Sequence, residues 1–131
     1  MVGAPVTGVP EVWARGQGGL LDVALHPDFA STGLIYLAYA EGTGTANTLA
    51  LFRARLVDGT LQDSTTLLRV APLKSTPQHY GGRLLFLPDK SLLITTGEGF
   101  EHREAAQSPG GELGKVLRVD ANGAALPTNP L

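Results

Sequence analysis

Two side chains in this sequence are placed to move a proton. His79 lies in Gln78-His79-Tyr80-Gly81-Gly82-Arg83, directly before an apolar run, and Glu98 lies in Thr96-Gly97-Glu98-Gly99, directly after the next one. The two runs, Arg83–Leu87 and Ser91–Thr96, flank the turn residues Pro88-Asp89-Lys90 and read as a hairpin. If they pair, the two ends of that hairpin lie side by side, and His79 and Glu98 share one end of a sheet. A histidine oriented by a carboxylate is the usual build of a general base. The carboxylate favours the imidazolium that forms when the base takes its proton. Without the pairing, the same residues are a turn histidine and a loop glutamate. A third group stands upstream. Gly16-Gln17-Gly18-Gly19 puts an amide that both donates and accepts in a loop whose glycines let a backbone or a ligand come close. On its own this is also a flexible turn, and the absence of a following helix excludes a dinucleotide fingerprint. The other histidines carry less. His26, in a strand-end turn before Pro27-Asp28, reads as structural, and His102, among Glu101, Arg103 and Glu104, reads as solvated.

The elements that must hold these groups are strands. Seven short apolar runs are broken by glycine, proline or asparagine: Leu20–Leu25, Leu34–Glu41, Thr48–Leu56, Thr65–Val70, Arg83–Leu87, Ser91–Thr96 and Lys115–Asp120. None shows sustained helical spacing. Glu101–Ala106 is the one short helix candidate, stopped by Ser108-Pro109-Gly110-Gly111. Leu20–Tyr39 and Leu84–Thr96 echo each other as strand, Pro-Asp turn, strand. The reading is all-β, with sequential antiparallel strands. Such sheets become a sandwich, a barrel or propeller blades.

Composition bounds the rest. The chain has 131 residues, 17% of them charged, and a net charge of −2. It lacks the basic excess that a phosphate backbone demands, so no nucleic-acid partner is expected. There is no cysteine, hence no disulfide, thiolate metal site or thiol nucleophile. No apolar run approaches the about 20 residues a membrane helix needs. The N-terminus, Met1 to Pro10, has neither the basic nor the apolar region of a signal peptide. Walker, Gly-x-Ser-x-Gly, His-Glu-x-x-His and EF-hand motifs are absent.

Taken in order, Gly16-Gln17-Gly18-Gly19-Leu20 through His26-Pro27-Asp28-Phe29, His79-Tyr80-Gly81-Gly82-Arg83, Thr96-Gly97-Glu98, Leu113-Gly114-Lys115-Val116-Leu117-Arg118-Val119 and Pro127-Thr128-Asn129-Pro130 resemble the soluble pyrroloquinoline-quinone (PQQ) dependent sugar dehydrogenases, in particular the aldose sugar dehydrogenase branch beside soluble glucose dehydrogenase. The resemblance runs from about Val9 to Leu131. It implies roughly two blades of a six-bladed β-propeller, an incomplete ring, with residues 1–131 a part of the domain. It implies oxidation of the anomeric hydroxyl of a sugar to a lactone, with hydride passing to PQQ. His79 then matches the base, Glu98 the acidic residue that supports it, and Gln17 a quinone contact. Arg83 and Lys115 read as scaffold. Calcium is implied as a second cofactor, with ligands expected outside this chain.

Two departures stand out. The family's Ala-Gln-Asp-Leu segment appears as Ala106-Gln107-Ser108-Pro109, without its Asp. The family is also several times longer, so the expectation is the N-terminal portion of such an enzyme, inactive in isolation, from a periplasmic or secreted parent. Two alternatives stay open: a non-catalytic propeller module for binding or interaction, and a propeller fragment that self-assembles as a homo-oligomer through open sheet edges.

Overall fold

The computed structural model describes residues 2–130. Its seven strands are β1 (Leu20–Leu25), β2 (Leu34–Gly42), β3 (Asn47–Val57), β4 (Thr60–Arg69), β5 (Gly81–Phe86), β6 (Leu92–Thr96) and β7 (Val116–Val119), with a single helical turn, α1 (Phe29–Thr32), between β1 and β2. Two antiparallel sheets form in chain order, β1-β2-β3-β4 and β5-β6-β7. Each is an up-and-down unit in which every strand pairs with its sequence neighbour, and neither closes into a barrel. This is the build of two adjacent propeller blades. The echo in the sequence is the repeat of their first hairpins, β1–β2 and β5–β6.

The strand sequences explain how the sheets pack. In β2, Leu34-Ile35-Tyr36-Leu37-Ala38-Tyr39-Ala40 is continuously apolar rather than alternating, as expected of a strand covered on both faces. Side chains of a strand alternate sides. Tyr36, Ala38 and Ala40 of β2, with Leu49 and Leu51 of β3, therefore meet Leu92, Ile94 and Val119 of the second sheet. Leu37, Tyr39, Ala50, Phe52 and Ala54 build a second cluster on the opposite face. The sheets are also clipped by polar contacts. Tyr36 Oη and Arg53 Nη1 both donate to the carbonyl of Ala121, at 2.8 and 2.7 Å, in the turn that follows β7.

Two expectations are corrected. β4 begins at Thr60 rather than Thr65, because Asp58 (φ 48°) and Gly59 (φ 77°) make a two-residue turn that pairs Val57 with Thr60. The helix expected at Glu101–Ala106 is a 3₁₀ segment at Arg103–Gln107.

The turn between β5 and β6 gives a pH prediction. Asp89 accepts hydrogen bonds from the Ser91 hydroxyl (2.6 Å) and backbone N–H (3.0 Å), and pairs with Arg118. These contacts, the Ser91 hydroxyl first, pull its carboxyl down to about 2. A carboxyl with a lower pKa when folded contributes stability that is complete above the ordinary aspartate value and lost as pH falls towards its folded value. Asp89→Asn should therefore reduce stability at pH 5, and the gap from wild type should close between about pH 4 and pH 2. Urea melts of both proteins across that range check this, and a pH-independent gap would contradict it.

Candidate active site

Three loops meet at one end of the sheets, and hydrogen bonding of the β5–β6 hairpin sets the geometry. Gly81 pairs with Thr96, and beyond the ladder Gly97 N–H donates to Tyr80 C=O (2.9 Å). The residues on either side, His79 and Glu98, are thereby brought together. The Nδ1–H of His79 donates to Glu98 Oε1 at 2.5 Å. The same oxygen accepts from Phe100 N–H (3.1 Å). The hydrogen bond from His79, first among several contacts, holds the Glu98 carboxyl below the usual carboxylate range, so it is ionised at neutral pH. With Nδ1 committed to the carboxylate, Nε2 carries the lone pair. The imidazole side chain is 40% exposed, against 19% for Glu98, so the ring is reachable while its partner is largely shielded.

Gln17 joins them from the loop before β1. Its backbone N–H donates to Pro77 C=O (2.8 Å), and its side-chain Oε1 accepts from the backbone N–H of His79 (2.9 Å). Gly16 makes this approach feasible: its φ is +57°, and a Cβ there would lie 2.6 Å from the Pro77 carbonyl oxygen. Gln17 thus fixes the backbone of His79, which sits at φ 48°, a left-handed conformation that costs a non-glycine residue about 1 kcal/mol or more. The Oε1 bond fixes the orientation of the carboxamide, leaving its NH₂ to donate elsewhere.

The other expected residues separate cleanly. His26 is buried, its Nδ1 accepts the Asp28 N–H (3.0 Å), and its ring packs against Tyr36 and Phe86. His102 is partly exposed, 3.5 Å from Glu101. Lys115 Nζ donates to the carbonyls of Ala105, Ala106 and Leu113, pinning the 3₁₀ segment. Arg83 is 78% exposed and 3.5 Å from Asp22. Reading the sequence missed two neighbours of the dyad. Phe100 stands edge-on to the His79 ring (5.6 Å, 83°) and is backed by Arg103, 4.1 Å from its centroid. Lys74 lies buried beneath the loop, against the ring of Tyr80. A single Phe or Lys in a polar loop carries no local signal of either placement.

These residues suit part of a PQQ site. A quinone carbonyl needs hydrogen-bond donors, and a carboxamide NH₂ such as that of Gln17 is one. A hydride-losing alcohol needs a base, and an imidazole held at Nδ1 by a carboxylate has the chemistry of one. They do not make a calcium site: no cluster of three or more His, Asp or Glu side chains able to hold a metal occurs among the described residues. No helix among them is long and apolar enough to cross a membrane.

Known proteins share this arrangement of strands. The chain is 44% identical to the aldose sugar dehydrogenase YliI of Escherichia coli over 131 residues, covering 97% of this chain and 35% of that protein. The crystal structure of the soluble aldose sugar dehydrogenase from Escherichia coli in its apo form superposes with a TM-score of 0.90 at 41% identity, covering 98% of this chain and 38% of that one. The PQQ-bound aldose sugar dehydrogenase of Streptomyces coelicolor superposes with a TM-score of 0.83 at 30% identity, covering 96% and 37%. The chain spans about a third of the length of the curated relatives it matches. The sequence profile for "Glucose / Sorbosone dehydrogenase" matches residues 1–131. On this evidence the chain belongs to the glucose/sorbosone dehydrogenase family.

Proposed function

We propose that residues 1–131 form the part of a PQQ-dependent aldose sugar dehydrogenase that carries its base, within a larger propeller domain. The observation that carries this reading is the His79–Glu98 contact at 2.5 Å, made by an imidazole that is 40% exposed. PQQ, when bound, supplies the hydride acceptor for the C1–H bond of the sugar. His79 Nε2 takes the proton of the C1 hydroxyl as that bond breaks, and the product is the lactone. Glu98 stabilises the imidazolium so formed and keeps the ring in the Nδ1–H tautomer. Gln17 has two tasks: its Oε1 holds the His79 backbone, and its NH₂ is the donor this chain offers to the quinone. Phe100 limits rotation of the imidazole from the side. Calcium, if the enzyme needs it, is held by residues other than these.

The test is reduction of a redox dye by aldoses, measured on the intact gene product loaded with PQQ and Ca²⁺. Dye reduction that requires both PQQ and an aldose is the expected result. Loaded protein that turns over no aldose would overturn the proposal.

A further inference from the structure

We propose that Lys74 is a positioning residue for His79: its buried ammonium pins the loop that carries the imidazole to β3 and to the face of the Tyr80 ring. This rests on the reading of His79 as the base. Lys74 Nζ donates to Asn47 Oδ1 (2.8 Å) and to Thr76 C=O (2.7 Å), and sits 3.3 Å above the Tyr80 ring centroid. The Tyr80 hydroxyl donates to the same Asn47 oxygen (2.6 Å). Asn47 is itself locked, its NH₂ donating to Thr43 C=O (3.0 Å) and its backbone forming a two-way bridge with that of Lys74. One buried cluster therefore grips the chain on both sides of the stretch 75–79, at Lys74 and at Tyr80.

The same cluster reaches the other half of the dyad. Gly99, next to Glu98, lies directly on the Lys74 stem, and Thr76 Oγ1 donates to Gly99 C=O. Ser75 donates to Glu101 through both its N–H (2.8 Å) and its hydroxyl. The ammonium is thus the point where both loops of the dyad are fastened. Its hydrogen bonds go to neutral oxygens, and Lys74 is 4% exposed. Burying a cation in this way costs folding free energy that an apolar side chain would not. That cost fits a residue kept for the position of its neighbours. Burial also pushes the ammonium down to about 8, opposed by the charge of Glu101. The ionisable groups facing it are Glu101, from the loop after β6, and Tyr80, whose hydroxyl burial raises to about 12. Neither changes charge between pH 6 and pH 9.

The experiment is an NMR titration of the histidine Cε1–H resonances in the protein and in Lys74→Met, which keeps the stem and removes the charge. Across the titration the His79 resonance of the variant should be displaced from that of wild type, because the loop that carries the imidazole has lost its anchor. His26, packed between Tyr36 and Phe86, should not move. Turnover of the PQQ-loaded variant should fall about 10- to 100-fold, as expected for a displaced reacting group. A folded variant whose His79 resonance and turnover match wild type would overturn the inference. If the variant does not fold, Tyr80→Phe decides, since it keeps the ring under the ammonium and removes the hydroxyl that ties the cluster to Asn47: a displaced His79 resonance with reduced turnover supports the inference, and wild-type values for both overturn it. Loss of the inference leaves aldose turnover by wild type intact, whereas loss of the functional reading removes that turnover and leaves the resonances as the readout.

Discussion

Replacing His79 by asparagine should lower kcat for aldose oxidation by about 10²- to 10⁴-fold, the range a positioned general base contributes. Asparagine is the informative substitution because of the backbone. His79 sits at φ 48°, where asparagine is among the few non-glycine residues that rest with little strain. Its backbone N–H still donates to Gln17 Oε1, so the loop keeps its anchor. What is lost is the lone pair at Nε2. His79→Ala loses the base as well, and adds left-handed strain, so it should melt at a lower temperature than His79→Asn while turning over no faster. The comparison separates chemistry from folding. Glu98→Gln should be milder. It keeps an acceptor for Nδ1–H but loses the charge that stabilises the imidazolium. A charge-assisted hydrogen bond of about 1.5–3 kcal/mol corresponds to about a 10- to 100-fold loss. Steady-state kinetics with PQQ-loaded protein measure all three. His79→Asn with turnover near that of wild type would falsify the assignment of the base.

How far the sequence could disclose this site follows from what holds each part. All seven strands were legible because each is a short apolar run ended by Gly, Pro or Asn. The one long misjudgement, the first half of β4, has a physical cause. β4 is an edge strand of its sheet, and Gln62, Asp63 and Ser64 face solvent, so the segment lacks the apolar residues that mark a strand. The signal that was present, Asp58-Gly59, is a turn signal rather than a strand one. The juxtaposition of His79 and Glu98 was legible because antiparallel pairing alone puts the ends of a hairpin together. The helix expected at Glu101–Ala106 failed for a reason no local pattern shows. Phe100 takes φ 69°, and the Glu101 carboxylate is bound to Ser75, so the chain is turned before a regular helix can start. Lys74 was invisible for a related reason: the side chain that fixes its ammonium from outside its own loop, Asn47, lies 27 residues upstream. What sequence reading recovers here is whatever one hairpin dictates, and what it misses is held by contacts between loops.

Gly97→Ala should disable the site as effectively as a change to the dyad itself, although Gly97 has no side chain to contribute. Gly97 is not in a left-handed conformation, so alanine meets no backbone strain there. The obstacle is space. A Cβ on Gly97 would run into the carbonyl carbon and oxygen of His79 and lie 3.0 Å from the Tyr80 nitrogen. All three are backbone atoms, so no flexible side chain can swing aside. Either the chain at His79–Tyr80 or the chain at Gly97–Glu98 must move, and each carries one member of the dyad. Overpacking of this kind costs about 1–3 kcal/mol of stability. A displacement of about 1 Å in a reacting group costs about 10²-fold in rate. Both losses should appear together, as a lower melting temperature and a lower kcat. Gly110→Ala is the matched control, since a Cβ there meets nothing within 4 Å. It should leave melting temperature and turnover at wild-type values. Should Gly97→Ala behave like Gly110→Ala, the hairpin ends have room to spare, and close backbone approach cannot be what holds His79 against Glu98.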